Sequence, residues 1–152
     1  MTFDLSEPGV VELGIEAADE WNLICSVFHD AEGNLAEDLG ALMNSEDDMW
    51  TEIVVPELDD FFSRQRRKVR ETILEAQGKA DGEKGSIFIA KADAEDWYGA
   101  FNQAQLNLEK KFSFGPREDA DLAGMDKEAW NAFARQRLYS SLQQLLLETL
   151  MD

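Results

Sequence analysis

The chain has one cysteine, Cys25, and one histidine, His29. A single cysteine excludes an intramolecular disulfide, and with it the disulfide framework of a small secreted domain. Cys25 and His29 stand four positions apart, so a helix would place them on one face. Two ligands do not complete a structural zinc site, and a buried thiol beside a surface histidine is the expected arrangement. A Cys–His nucleophile pair would also need an orienting group and an oxyanion pocket, and the sequence points to neither. Long apolar runs are missing as well. The longest aliphatic stretches are Ile53-Val54-Val55 and Leu145-Leu146-Leu147, far short of the ~20 residues of a membrane span. The first residues, Met1 to Glu7, lack the basic start and apolar core of a secretory signal, so a cytoplasmic setting is expected.

Positive charge is absent from the first part of the chain. Residues 1–63 contain 17 Asp and Glu and no Lys or Arg, whereas residues 64–152 hold the other 15 acids and all 14 bases. The net charge is −18 over 152 residues. Such a field repels nucleic-acid phosphates and anionic lipid, so neither nucleic acid nor membrane is expected as a partner. Spaced carboxylates along residues 1–63 would suit mimicry of nucleic acid, but solubility is the simpler account of the acidity.

Hydrophobic periodicity is mostly helical. From Asp126 to about Leu150, Trp130, Phe133, Ala134, Leu138, Leu142, Leu145, Leu146 and Thr149 recur at three- and four-residue steps, with Asp126 placed to cap the start. A second helix reads from Pro56 or Glu57 to about Ala76, with Leu58, Phe61, Phe62, Val69 and Ile73 in its stripe and Gly78 as its terminator. A third runs from Asp93 to Phe112, with Trp97, Phe101, Ala104 and Leu108 on one face and Asp93 and Asp96 at capping-box spacing. The first helix begins near Ala17. Trp21, Ile24, Cys25, Phe28, Leu35, Leu39 and Leu42 keep phase across Gly33, which favours one helix to about Met43 over two short ones. Connections fall at Asn44–Asp48, Gly78–Gly85 and Ser113–Gly124.

Two short stretches alternate like strands: Val11 and Leu13 around Glu12, and Ile87 and Ile89 around Phe88. They belong to a repeat. A shift of 76 residues lays Gly9 on Gly85, Val11 on Ile87, Leu13 on Ile89, Ala18 on Ala94 and Trp21 on Trp97. Each copy (residues 9–21 and 85–97) reads as a strand feeding an acid-opened helix. A strand this short needs a partner, and its twin is the nearest candidate. The expected fold is therefore mainly α, a single compact bundle of four or five helices carrying a small two-stranded β-ribbon.

The doubled acids Asp19-Glu20 and Glu95-Asp96 are where paired carboxylates would be sought. Antiparallel strands would send them to opposite ends of the ribbon, and acids in a first helical turn already complement the positive helix end. Trp21 and Trp97 read as core anchors. There is no P-loop, Rossmann glycine pattern, zincin motif or nucleophile elbow. The clusters Glu46-Asp47-Asp48 and Glu118-Asp119-Ala120-Asp121 lack the register of a calcium loop. No catalytic residue, metal ligand or cofactor is assigned.

One motif stands out. Arg64, Arg66, Arg67, Lys68 and Arg70 place five of the 14 basic residues in seven positions, where positive charge first appears. On a helix, Val69 would turn inward while Arg64, Arg67, Lys68 and Arg70 spread over the solvent side. Such a cluster can anchor a phosphate or an acidic partner, arginine being suited to bidentate contacts. Alternatively it neutralises the acidic segment of its own chain, whose carboxylates are the nearest counter-charge; this is the favoured reading. On the last helix, Tyr139, Leu147 and Met151 widen the apolar face, either for burial in a bundle or for a homodimer contact.

The segments from Ile87 to Leu108 (IFIAKADAEDWYGAFNQAQLNL) and Leu138 to Leu150 (LYSSLQQLLLETL) resemble a family of bacterial, mainly actinobacterial, proteins of unknown function. Its gene often neighbours the adaptor of the Clp protease. The resemblance implies an α-rich fold and a bacterial cytosolic setting, and no reaction. The expected function is a non-enzymatic protein-interaction or regulatory module, with another protein or a second copy as partner. The competing reading is an enzyme with a carboxylate-lined, divalent-metal site.

Overall fold

A computed structural model describes residues 1–42, 50–115 and 123–151. The chain opens with strand β1 (Thr2–Glu7) and strand β2 (Val10–Ile15), continues through helices α1 (Ala18–Asp30) and α2 (Leu35–Leu42), and resumes in a π-helical turn (Trp50–Val54). Helix α3 (Val55–Lys79), strand β3 (Gly85–Ala90), helix α4 (Ala94–Phe112) and helix α5 (Lys127–Thr149) follow. The architecture is mainly helical, with five α-helices and a three-stranded antiparallel sheet among the described residues.

The sheet has the order β1-β2-β3. Its β2–β3 pair is the ribbon expected from the repeat, with Val11 opposite Ile89, Leu13 opposite Ile87, and Glu12 facing Phe88 at the centre. Residues 76 positions apart thus exchange places across the Glu12–Phe88 pair. Strand β1 is an addition to the expected ribbon. It pairs with β2 through a turn in which Gly9 takes φ +81°, a conformation open to glycine without the Cβ penalty. Its alternation is faint in sequence because only Phe3 is half-buried and the rest of the strand is exposed.

One face of the sheet supplies Val11, Leu13, Ile15, Ile87 and Ile89 to a core completed by Trp21, Ile24, Val27, Val69, Ile73, Trp97, Phe101, Ala104, Tyr139, Leu142 and Leu146. Each fully buried aliphatic or aromatic side chain of this kind contributes about 1.5–3 kcal/mol. Helix α4 is central, packing on α1, α3 and α5. It meets α3 tightly at Gly99, where an added Cβ would lie 2.3 Å from the Gln65 carboxamide.

Three expectations are corrected. The single helix from Ala17 to Met43 is two, separated at Ala31–Asn34. Asn107 on α4 donates to the carbonyls of Asp30 at 3.0 Å and Glu32 at 3.2 Å, capping the end of α1 from a distance. A Cβ at Gly33 would stand 2.9–3.1 Å from that same carboxamide. Helix α3 runs through Gly78 and ends at Lys79, because Asp81 (φ 53°) and Gly82 (φ +73°) make the turn instead. The capping box at Asp93 and Asp96 is replaced by a 3-10 turn, Lys91–Asp93, with no side-chain cap on α4. Asp126, by contrast, caps α5 through Ala129 N at 2.8 Å, as expected.

The buried stripe of α5 is also rotated from the expected one. Ala132, Phe133, Tyr139, Leu142, Gln143 and Leu146 face inward, while Trp130 is 47% exposed and Ala134 and Thr149 face solvent. Tyr139 is fully buried, so it adds nothing to an apolar surface for dimerisation; Leu147 is exposed and Met151 half-buried. The expected connection Asn44–Asp48, the end of the first helix at Met43, and the clusters Glu46–Asp48 and Glu118–Asp121 lie outside the described residues. Among the described residues, no helix is long and apolar enough to cross a membrane.

Candidate anion-binding face of helix α3

The five basic residues all lie on α3, and the helical period of about 100° per residue divides them into two flanks of the buried stripe Gln65, Val69 and Ile73. Lys68 and Arg64 face the start of α4. Lys68 pairs with Asp93 at 3.7 Å, and both it and Arg64 act on Asp96, whose carboxyl is nonetheless raised above the usual range by burial and by Asp93. Lys68 is thus paired, by the turn that leads into α4 rather than by the acidic first segment.

Arg66, Arg67 and Arg70 face the end of α1 with Ser63 one turn earlier. Together with Phe28 and Glu32 they line a depression of about 190 Å³. Arg66 is half-buried; it donates to the Oε1 of buried Gln103 at 2.9 Å and to Ser63 Oγ at 3.0 Å. Gln103 in turn donates to Gln65 Oε1 at 3.0 Å and to the Phe62 carbonyl. Arg66 is thus anchored to the interior by a polar chain that was not legible in the sequence, because its members lie on two helices. The Arg70 guanidinium stands 6.0 Å from the Phe28 ring centroid, at the outer limit of a cation–π contact. Arg67 is exposed. Among the described residues, no carboxylate forms an ion pair with Arg64, Arg66, Arg67 or Arg70. Among the described residues, the expected pairing of these arginines with acids of residues 1–63 is not found; Glu32 lies in the wall of the depression.

Other candidates separate. Cys25 is half-buried, its thiol pushed above the ordinary range by burial, with Gln77 Oε1 3.8 Å from Sγ; His29 is exposed. The doubled acids do not meet. Glu20 accepts from the Met1 amino group and from Glu16 N, which hold its carboxyl below the usual range. Glu95 and Asp96 open α4 at the other end of the sheet. Trp21 Nε1 donates to the Glu83 carbonyl at 2.5 Å, whereas buried Trp97 Nε1 has no partner among the described residues. Among the described residues, no three of His, Cys, Asp and Glu converge in a geometry able to hold a metal ion.

A second polar centre escaped the sequence reading. Arg135 grips Asp30 with Nε at 2.8 Å and a terminal nitrogen at 3.2 Å, and Tyr139 donates to Asp30 Oδ2 at 2.5 Å while its hydroxyl lies 2.6 Å from Ser26 Oγ. Burial, then the bond to Asp30, pushes the Tyr139 phenol well above its ordinary value. The i, i+4 spacing of Arg135 and Tyr139 was its only sequence signal. Every member is satisfied, which marks a cross-brace between α1 and α5.

The chain matches no family model, no curated protein and no solved structure.

Proposed function

We propose that this protein is a non-enzymatic interaction module that holds an acidic segment of a partner protein on the Arg66–Arg67–Arg70 face of α3, in the bacterial cytosol that the family resemblance implies. One observation carries the reading: three arginines converge on a depression beside Phe28 without an ion-paired carboxylate among the described residues, in a chain of net charge −18. A molecule with 32 acids has counter-charge in abundance. Guanidinium groups left without it offer their fork of donors to carboxylates from outside. Arg66 is held by Gln103 and Ser63, so the site is partly pre-organised, which lowers the entropic cost of binding. Its partner meets one fixed guanidinium and two adaptable ones.

The test is fluorescence anisotropy with a labelled oligo-glutamate peptide at low and physiological salt. Binding should weaken as salt rises, and the Arg67→Glu/Arg70→Glu double variant should abolish it while keeping the wild-type circular dichroism and melting temperature. Equal binding by that variant would refute the assignment of the ligand to this face. Arg66 is left intact in the test because its hydrogen bonds belong to the fold.

A further inference from the structure

Strand β3 is an edge of the sheet, and the two edges are treated differently. The β1 edge carries Asp4 and Glu7 and a register irregularity between Leu5 and Glu7, the usual devices that discourage further pairing. The β3 edge, Gly85-Ser-Ile-Phe-Ile-Ala90, has no charge, no proline and an unbroken register with β2. Lys91 N donates to the Gly9 carbonyl at 2.8 Å, toward β2. Antiparallel alternation then turns the backbone N–H and C=O groups of Ser86, Phe88 and Ala90 away from β2, toward the open side. Phe88 is 55% exposed there.

Beyond this edge runs the C-terminal half of α3, on the other flank of the buried stripe from the arginine face. Strand and helix enclose a groove of about 480 Å³ whose helix wall includes Thr72, Ala76 and Lys79 and whose strand wall includes Ser86 and Phe88. Lys79 and Lys84 border it. Their partners, Glu75 and Glu16, are at 3.2 Å and 3.6 Å, and all four side chains are at least half exposed. Exposed pairs of this kind are held weakly and re-partner readily.

We propose that the β3–α3 groove takes an extended segment of another protein as a fourth strand. Backbone bonds to Ser86, Phe88 and Ala90 supply affinity, an apolar side chain rests on Ala76 and Phe88, and a carboxylate reaches Lys79 and Lys84. A groove walled by an edge strand on one side and a helix on the other suits such strand addition. Lysine against carboxylate supplies the charge complementarity. A second copy of the chain is the poorer occupant, because each copy brings a net −18 and like fields repel. The site is separate from the arginine face and stands or falls independently of it.

Selection of a random heptapeptide display library on the full chain, followed by anisotropy with the labelled synthetic winners, tests this. Enriched peptides should alternate apolar and polar residues and carry an acid. Phe88→Pro should weaken them about tenfold or more, since it removes one outward N–H and the aromatic wall but no ladder bond to β2. Lys79→Glu/Lys84→Glu should weaken them severalfold, and Arg67→Glu/Arg70→Glu should leave them unchanged. N-methylation of the peptide at alternate residues should abolish binding to the wild-type chain, a readout that holds even if the proline variant fails to fold. Absence of enrichment, or indifference of the winners to both the Lys79/Lys84 reversal and N-methylation, overturns the proposal. Concentration-dependent dimerisation removed by Phe88→Pro also overturns it, and assigns the edge to a second copy.

Discussion

Arg66 donates to the carboxamide oxygen of Gln103, a side chain only 1% exposed, across the α3–α4 contact. A residue of a surface charge cluster thereby completes a buried polar chain, Arg66–Gln103–Gln65. Arg67, its neighbour, is exposed. Adjacent members of one basic run therefore do different physical work: one braces two helices, and the other is free to meet a ligand.

Arg66→Ala should accordingly destabilise the fold by about 1–3 kcal/mol, the cost of leaving a buried acceptor unsatisfied. Arg67→Ala should change stability by no more than about 0.5 kcal/mol, as a surface substitution. Urea unfolding of the two variants measures the contrast; equal destabilisation would contradict the division of roles.

Tyr139→Phe keeps the ring stacked on Phe101, 5.7 Å between centroids, and removes only the hydroxyl that serves Asp30 and Ser26. A loss of about 1–3 kcal/mol is expected from the stranded partners. The pH dependence has a definite sign. The phenol is raised in the folded state, so above about pH 10, the ordinary phenol value, the unfolded chain loses a proton that the folded chain keeps. Stability from this group is whole below that pH and declines as pH rises further. Alkaline unfolding curves should show the decline in the wild type and a smaller one in Tyr139→Phe.

Two glycines give opposite expectations. Gly78 lies in α3 with nothing within 4 Å of an added Cβ, so Gly78→Ala should stabilise by about 0.4–1 kcal/mol through the unfolded chain's lost freedom. Gly33→Ala would push on the Asn107 carboxamide and disturb two bonds that cap α1. About 1–2 kcal/mol of destabilisation is expected there. Thermal melts of the pair provide the measurement, and a stabilised Gly33→Ala would contradict the account of why the first helix breaks.

The sequence by itself determined what depends on local periodicity and on short-range chemistry. The helices around residues 56–76, 93–112 and 126–150, the Asp126 cap, and the two strands linked by the repeat all follow from side chains that recur at 3.6 or 2 residues or bond within one turn. So does the placement of the arginine run on a helix, because its neighbours Val69 and Ile73 fix the phase. Only the tertiary structure decided the matters in which distant residues compete. Asn107 splits the first helix from 75 and 77 residues away, and Gln103 singles out Arg66 from its neighbours. Asp30 draws Tyr139 inward and so rotates the buried face of α5. Strand β1, nearly all exposed, has too little burial to leave a pattern and depends on β2 to exist. Hydrophobic spacing records which face of an element is covered; it does not record which remote polar group waits on the other side.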